Sequence, residues 1–288
     1  MKKFLFALLF STRVISLISW LNRKRVPILC YHSVTSDSAP VARDPHKQHI
    51  PLKLFLSHLD YLREHHNVIS LAQYVEARVN KRRLPDRSVV LTFDDGFEDF
   101  YTVAAPHLNQ RKLPATVFII IDRAFGRFVP KGESFLSWDQ IRELAAAGIE
   151  IGSHSCSHLP LSELSREEAT KELSESRALL ESNLGCSPIP LSYPFGQTSE
   201  SISRMAQSMG FTCAIASDSG PNSDKASIFR LSRTVIASDD DVTAFAARVS
   251  GLTSWITRCK RFLRAEQTVS WKPSFGQYGS TAPEFYVD

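Results

Sequence analysis

Short apolar runs alternate with longer amphipathic stretches along most of the chain. Residues 27–31, 88–93, 116–121, 149–152, 188–193 and 211–215 are mostly apolar and lack polar alternation, so each reads as a strand covered on both faces. Residues 68–70 and 229–236 read as further strands. Leu52, Phe55, Leu59 and Leu62 recur at helical spacing and predict a helix over 52–65. Ser137 with Gln140, and Ser165 with Glu168, are capping boxes that open helices ending at Gly148 and Gly185. The first turns Ile141, Leu144 and Ala145 inward, and the second carries Leu173, Leu180 and Leu184 on one face. Helices are also expected at 71–80, at 197–209 and from about Asp239. Strand–helix alternation from 26 to about 250 predicts a parallel sheet covered by helices, either a barrel or an open doubly wound sheet. Functional side chains of such folds gather at the carboxyl ends of the strands.

Composition changes this picture little. The chain has 288 residues, 43% hydrophobic and 22% charged, which suits a folded protein and not a disordered, collagen-like or coiled-coil one. No fixed repeat occurs, and no apolar run reaches about 18 residues, so a spanning helix is not expected. Charge is more informative. Six basic residues (Lys2, Lys3, Arg13, Arg23, Lys24, Arg25) precede the first acid, Asp37, which leaves 28 of the 34 basic residues against all 30 acidic ones. The positive excess therefore sits in one segment. That favours an anionic membrane surface over a nucleic acid, whose basic contacts would be spread over a folded face.

In residues 1–25 two apolar stretches are split by Arg13 and closed by Arg23-Lys24-Arg25. Three readings stand: a helix lying in the membrane interface, an export signal, or an amphipathic helix packed on the domain. Five cysteines without CxxC spacing give no disulfide framework. No GxGxxG follows a strand and no GxxxxGK[ST] occurs, so nucleotide binding has no support.

Three polar clusters fall where strands end. Asp94-Asp95-Gly96 follows 88–93; its carboxylates could divide metal binding and base chemistry, or one could simply cap a turn. His154 and His158 follow 149–152, four apart, and could share a metal or be unrelated histidines; Cys156 between them is expected to point away. Ser192-Tyr193-Pro194-Phe195-Gly196 reads as a turn that can aim amides or aromatic rings into a cleft, or as a plain turn. Two histidines and one aspartate would form a three-ligand set with room for a water.

Together, Leu91–Gly96, the His154/His158 pair and the Tyr193-Pro194-Phe195-Gly196 turn resemble the polysaccharide deacetylases (NodB-like, carbohydrate esterase family 4), as do Pro114–Phe118 and the stretch from Ser137 to Gly152. The resemblance covers about 26–250. It implies an α/β fold, a distorted (β/α) barrel of the NodB type, and a divalent metal, usually Zn2+, on Asp95, His154 and His158. By the same resemblance Asp94 is the general base, and the Tyr193 amide helps stabilise the oxyanion, with Pro194 and Phe195 lining the substrate site. Two departures stand out. Ser192 replaces the usual Arg of the third motif, and no histidine occurs after residue 210 to supply the usual acid. Cys30-Tyr31-His32 at the first strand end instead resembles the circularly permuted exopolysaccharide (poly-N-acetylglucosamine) deacetylases, which implies His32 as acid and Arg233 as the residue that orients Asp94.

The expectation is an enzyme of the cell envelope, held at a membrane, that deacetylates N-acetylated sugars of a polysaccharide or glycolipid. Nucleic acids and nucleotides are not expected as partners. The expected parts are a basic apolar segment (1–25), a catalytic domain (26–252) and a tail of low order (253–288). A non-catalytic glycan-binding protein is the alternative motivated by Ser192. A retaining glycosidase using Asp94 is disfavoured by the histidine pair.

Overall fold

The computed structural model describes residues 14–36, 44, 46–130, 132–185, 189–217 and 220–257. The expectations for 1–13 and for most of the 253–288 tail lie outside the described residues. The chain opens with helix α1 (Val14–Leu21), then β1 (Ile28–Tyr31), β2 (Ser33–Thr35), β3 (His49–Pro51), α2 (Leu52–His65), β4 (Asn67–Val68) and α3 (Leu71–Val79). Next come β5 (Ser88–Phe93), a π-helical turn (Phe100–Ala104) that runs into α4 (Ala105–Gln110), β6 (Thr116–Ile119), α5 (Ile121–Ala124), α6 (Trp138–Ala146) and β7 (Glu150–Ser153). The last elements are α7 (Arg166–Leu184), β8 (Leu191–Ser192), α8 (Glu200–Ser208), β9 (Ala214–Ile215), β10 (Thr234–Val235) and α9 (Val242–Val249).

The main sheet runs in the order β10-β1-β5-β6-β7-β8-β9, parallel throughout, with β4 beside the start of β5. Residues 228–236 draw its two edges together. The Leu231 amide donates to the Ala214 carbonyl on β9, and the Ile236 amide donates to the Cys30 carbonyl on β1. The result is the distorted (β/α) barrel anticipated above. The strands are short because most pair over only two to four residues, and every position of β1, β5 and β6 is buried.

Both capping boxes form: the Ser137 and Ser165 side chains accept the Gln140 and Glu168 amides, and the Gln140 and Glu168 side chains return the bond. Gly185 ends α7 in the left-handed conformation at φ 63°. The last strands are shorter than expected, and the ribbon of β2 with β3 and the helices of 100–110 lacked a clear periodic signal. α1 packs its Ile15 against Ala246, Ala247 and Leu252, while the Asn22 side chain donates to the Ser250 carbonyl. One face of α1 therefore packs on the domain, while Leu17, Trp20 and Leu21 stay exposed. No helix among the described residues is long and apolar enough to cross a membrane.

Candidate active site

Parallel pairing brings the carboxyl ends of β1, β5, β7 and β8 to one end of the barrel. His32 follows β1, Asp94 and Asp95 follow β5, His154 follows β7, and Ser192 ends β8. Backbone geometry then spreads the side chains. Asp95 (φ 71°), Ser155 (φ 64°), His158 (φ 62°) and Phe195 (φ 55°) all take the left-handed region. Each such residue costs on the order of 1–3 kcal/mol, which the surrounding structure must offset. Gly196 is also left-handed, and a Cβ there would lie 1.6 Å from the Ser217 hydroxyl, so glycine is required in this turn.

Asp95, His154 and His158 each offer one ligand atom, all within 4.8 Å of one another. Both histidine Nε2 atoms stand 3.5 Å from the same Asp95 Oδ1. That is too long for a good hydrogen bond, whereas tetrahedral donors about 2.0–2.2 Å from a Zn2+ ion are themselves about 3.4 Å apart. The His154 Nδ1–H donates to the Ser192 carbonyl at 2.8 Å, which leaves the Nε2 lone pair facing Asp95. The donor set, its spacing and this tautomer all fit a divalent metal.

The loop 154–158 is held from below. The Glu172 carboxylate of α7 accepts the Cys156 amide (2.9 Å), the Ser157 amide (3.0 Å) and the Ser157 hydroxyl (2.6 Å). Ser155 Oγ accepts the His158 amide at 3.1 Å, and Ser153 Oγ donates to Ser176 Oγ at 2.8 Å. Cys156 turns into the core as expected, and burial pushes its thiol up to about 12. Glu172 and Ser176 escaped sequence reading. The available signal was a serine, Ser176, in the buried stripe Ala169-Leu173-Ser176-Leu180 of α7.

Asp94 has a different environment. It is buried, its Oδ2 is paired with Arg233 Nη1, and the same Nη1 donates to Ser192 Oγ at 2.9 Å. Burial alone would raise Asp94, but Arg233 first, then His154 and His32, hold its carboxyl well below the usual range. Burial likewise works against the Arg233 charge, and Asp94 outweighs it and raises the guanidinium further. The small Ser192 side chain thus stands where Arg233, from the far end of the chain, delivers a guanidinium. The departure that motivated a binding-only reading is filled from another segment.

His32 lies beside Asp94: one His32 ring nitrogen, the Cys30 thiol and an Asp94 oxygen fall within 4.8 Å of one another. His32 Nδ1 is buried and has no hydrogen-bond partner among the described residues. Burial lowers its pKa, opposed by Asp94 and Asp95. Cys30 is a neutral thiol here, because burial raises its pKa well above the usual value.

One expectation fails. The Tyr193 amide donates to the Ile215 carbonyl at 3.0 Å, and its hydroxyl donates to the Phe229 carbonyl at 2.9 Å. Tyr193 is wholly buried, so its N–H is spent on the ladder and is not free to face an oxyanion. Pro194 is buried too. Of the three turn residues only Phe195 faces solvent, 56% exposed, with its ring 4.6 Å from that of His158.

The chain is similar to known proteins in sequence and in fold. Residues 81–214 match the polysaccharide deacetylase family model. The Bacillus subtilis (strain 168) protein YxkH, provisionally named a polysaccharide deacetylase, is 25% identical over 238 residues, covering 81% of this chain and 80% of that protein. The poly-beta-1,6-N-acetyl-D-glucosamine N-deacetylase of Escherichia coli (strain K12) is 37% identical over 106 residues, which are 33% of this chain but 16% of that protein. Among solved structures, IcaB from Ammonifex degensii superposes with a TM-score of 0.67 at 26% identity, covering 77% of this chain and 97% of that one.

Proposed function

The chain carries a polysaccharide deacetylase domain, and on that premise we propose that it removes acetyl groups from N-acetylated sugars of a cell-envelope or exported polysaccharide. The observation that carries this reading is the division of labour between the adjacent aspartates. Asp95 Oδ1 stands 3.5 Å from both His154 Nε2 and His158 Nε2, whereas Asp94, also 3.5 Å from His154 Nε2, is the one bonded to Arg233 and set beside Ser192 and His32.

Asp94, held ionised by Arg233, accepts the proton of the attacking water. Arg233 and Ser192 hold the Asp94 carboxylate in place. His32 donates a proton to the sugar nitrogen as the C–N bond breaks, so that acetate and a free amine leave. Zn2+ bound by Asp95, His154 and His158 would act as a Lewis acid that lowers the pKa of water and polarises the acetyl carbonyl. Phe195 offers an apolar face to the sugar ring. The E. coli relative's name points to a β-1,6-linked N-acetylglucosamine polymer as the first substrate to try. In this reading the catalytic domain spans 26–252, and the basic N-terminal segment keeps it at a membrane of the cell envelope.

The test is acetate release from N-acetylglucosamine oligomers by the metal-loaded protein. Release that stops on chelation and returns with Zn2+ is expected. A metal-loaded protein that retains the oligomers without releasing acetate would overturn the proposal.

A further inference from the structure

We propose that the amino-terminal end of the barrel docks on an anionic lipid bilayer and aims the catalytic end away from it. Two basic runs distant in sequence meet there. Arg23–Arg25 precede β1, and 81–87 precede β5, which pairs with β1 in parallel, so both lie at the same end. The Arg87 amide donates to the Arg23 carbonyl at 2.6 Å, and the Arg23 side chain pairs with Asp86 at 3.2 Å. Lys24, Arg78, Lys81, Arg82 and Arg83 line one hollow of about 420 Å3. Residues 23–25 and 78–87 hold eight basic side chains, and the acids near them are Glu76, Asp86 and Asp224. The face is therefore strongly positive even after its ion pairs are counted. The Arg82 and Arg83 side chains keep 69% and 80% exposure while paired.

Apolar side chains border this charge. α1 buries Ile15 against the domain but leaves Leu17, Trp20 and Leu21 58%, 51% and 62% exposed. The Arg23 guanidinium lies 4.5 Å over the Trp20 ring and joins the apolar ridge to the basic face. Exposed Leu and Trp flanked by bases match the interface of an anionic bilayer, where rings and aliphatic chains enter among head groups that the bases neutralise. A soluble polyanion would use the charge and leave the apolar ridge without purpose.

Strand direction then sets orientation. Arg25 to His32, and Arg87 to Asp94, each run the length of the barrel, about 23 Å at roughly 3.3 Å per residue. With the basic end on the bilayer, His32, Asp94 and His154 open on the far side, toward glycan that extends from the surface. A sugar held in the head-group plane is out of reach. This consequence for the substrate rests on the deacetylase reading, whereas the docking does not.

The experiment is co-sedimentation of the full chain with phosphatidylcholine vesicles, with and without phosphatidylglycerol. Binding should require phosphatidylglycerol and weaken with salt. K81Q/R82Q/R83Q should weaken it about 100-fold, each base being worth about fivefold at an anionic surface, with acetate release from soluble oligomers unchanged. L17S/W20S should weaken it at high salt as well. Wild-type binding by both variants, or equal competition by soluble polyphosphate, would overturn the docking. For orientation, vesicle-bound enzyme should deacetylate a soluble oligomer normally but a lipid-anchored single N-acetylglucosamine at least about tenfold more slowly than the same lipid in detergent; equal rates would overturn it. Because sedimentation needs no turnover, an inactive protein that still binds vesicles would count against the deacetylase reading alone.

Discussion

The two ends of the barrel handle charge in opposite ways. At the carboxyl end, the charges of Asp94 and Arg233 are almost wholly buried, and the backbone nearby is left-handed at Asp95, Ser155 and His158. At the amino end, Arg82 and Arg83 stand in water and pair loosely with Glu76 and Asp86. Burial makes each charge of the first set dependent on its partner, because an unpaired ion there has no water to stabilise it. Exposure makes the second set nearly free of folding cost and open to screening by salt. A functional site that must hold one carboxylate ionised needs the first arrangement, and a surface that only needs to attract another surface works with the second.

Substitutions that remove one charge test this contrast most directly. Asp94→Asn should lower acetate release by about 10²–10⁴-fold, the usual worth of a general base, while metal content measured on the purified protein stays the same. Loss of the metal would show that Asp94, and not Asp95 alone, holds it. Arg233→Met leaves Asp94 buried without its cation and should cost about 3–5 kcal/mol in urea unfolding. A cost below about 1 kcal/mol would mean that the carboxylate finds water or protonates, and that the two ends differ less than their burial suggests.

A polar support beneath the catalytic end gives a smaller effect. His58 accepts the Tyr31 hydroxyl at Nδ1 (3.2 Å), donates from Nε2 to the Asp240 carbonyl (2.7 Å) and stacks on Phe245 at 4.0 Å. Burial lowers it to about 4, opposed by the bond to Asp240. Below its usual pKa the unfolded chain takes up a proton that the folded one refuses, so stability falls as pH drops. His58 should contribute a slope of up to about 1.4 kcal/mol per pH unit between about pH 6.5 and 4. Urea midpoints of wild type and His58→Leu over that range would show it as a difference in slope. The smallest effect is expected at the other end. K81Q/R82Q/R83Q should shift the unfolding free energy by less than about 0.5 kcal/mol, since exposed pairs contribute little. A larger loss would mark that loop as part of the fold's support.

Much of the architecture was legible because it is local. The helix at 52–65 and the strand at 88–93 match the structure end to end, since periodicity and apolar continuity are written in neighbouring residues. Both capping boxes formed for the same reason. The β2–β3 ribbon was not legible, because strands of three residues carry no periodic signal. Nor was Glu172, whose carboxylate looks like any acid on a solvated helix until the 154–158 loop folds over it.

The sequence by itself determined the alternation of strands and helices and the residue types at the strand ends: two aspartates after β5, a histidine pair after β7, and a Pro-Phe-Gly turn after β8. These depend on contacts a few residues long. Tertiary structure alone decided that Arg233 reaches Asp94 across 139 residues beside Ser192, that the Tyr193 amide is consumed by Ile215, and that Arg23 meets the basic loop before β5. Each of these turns on which strands become neighbours, and sheet order is set by the packing of the whole barrel, which no local stretch of sequence records.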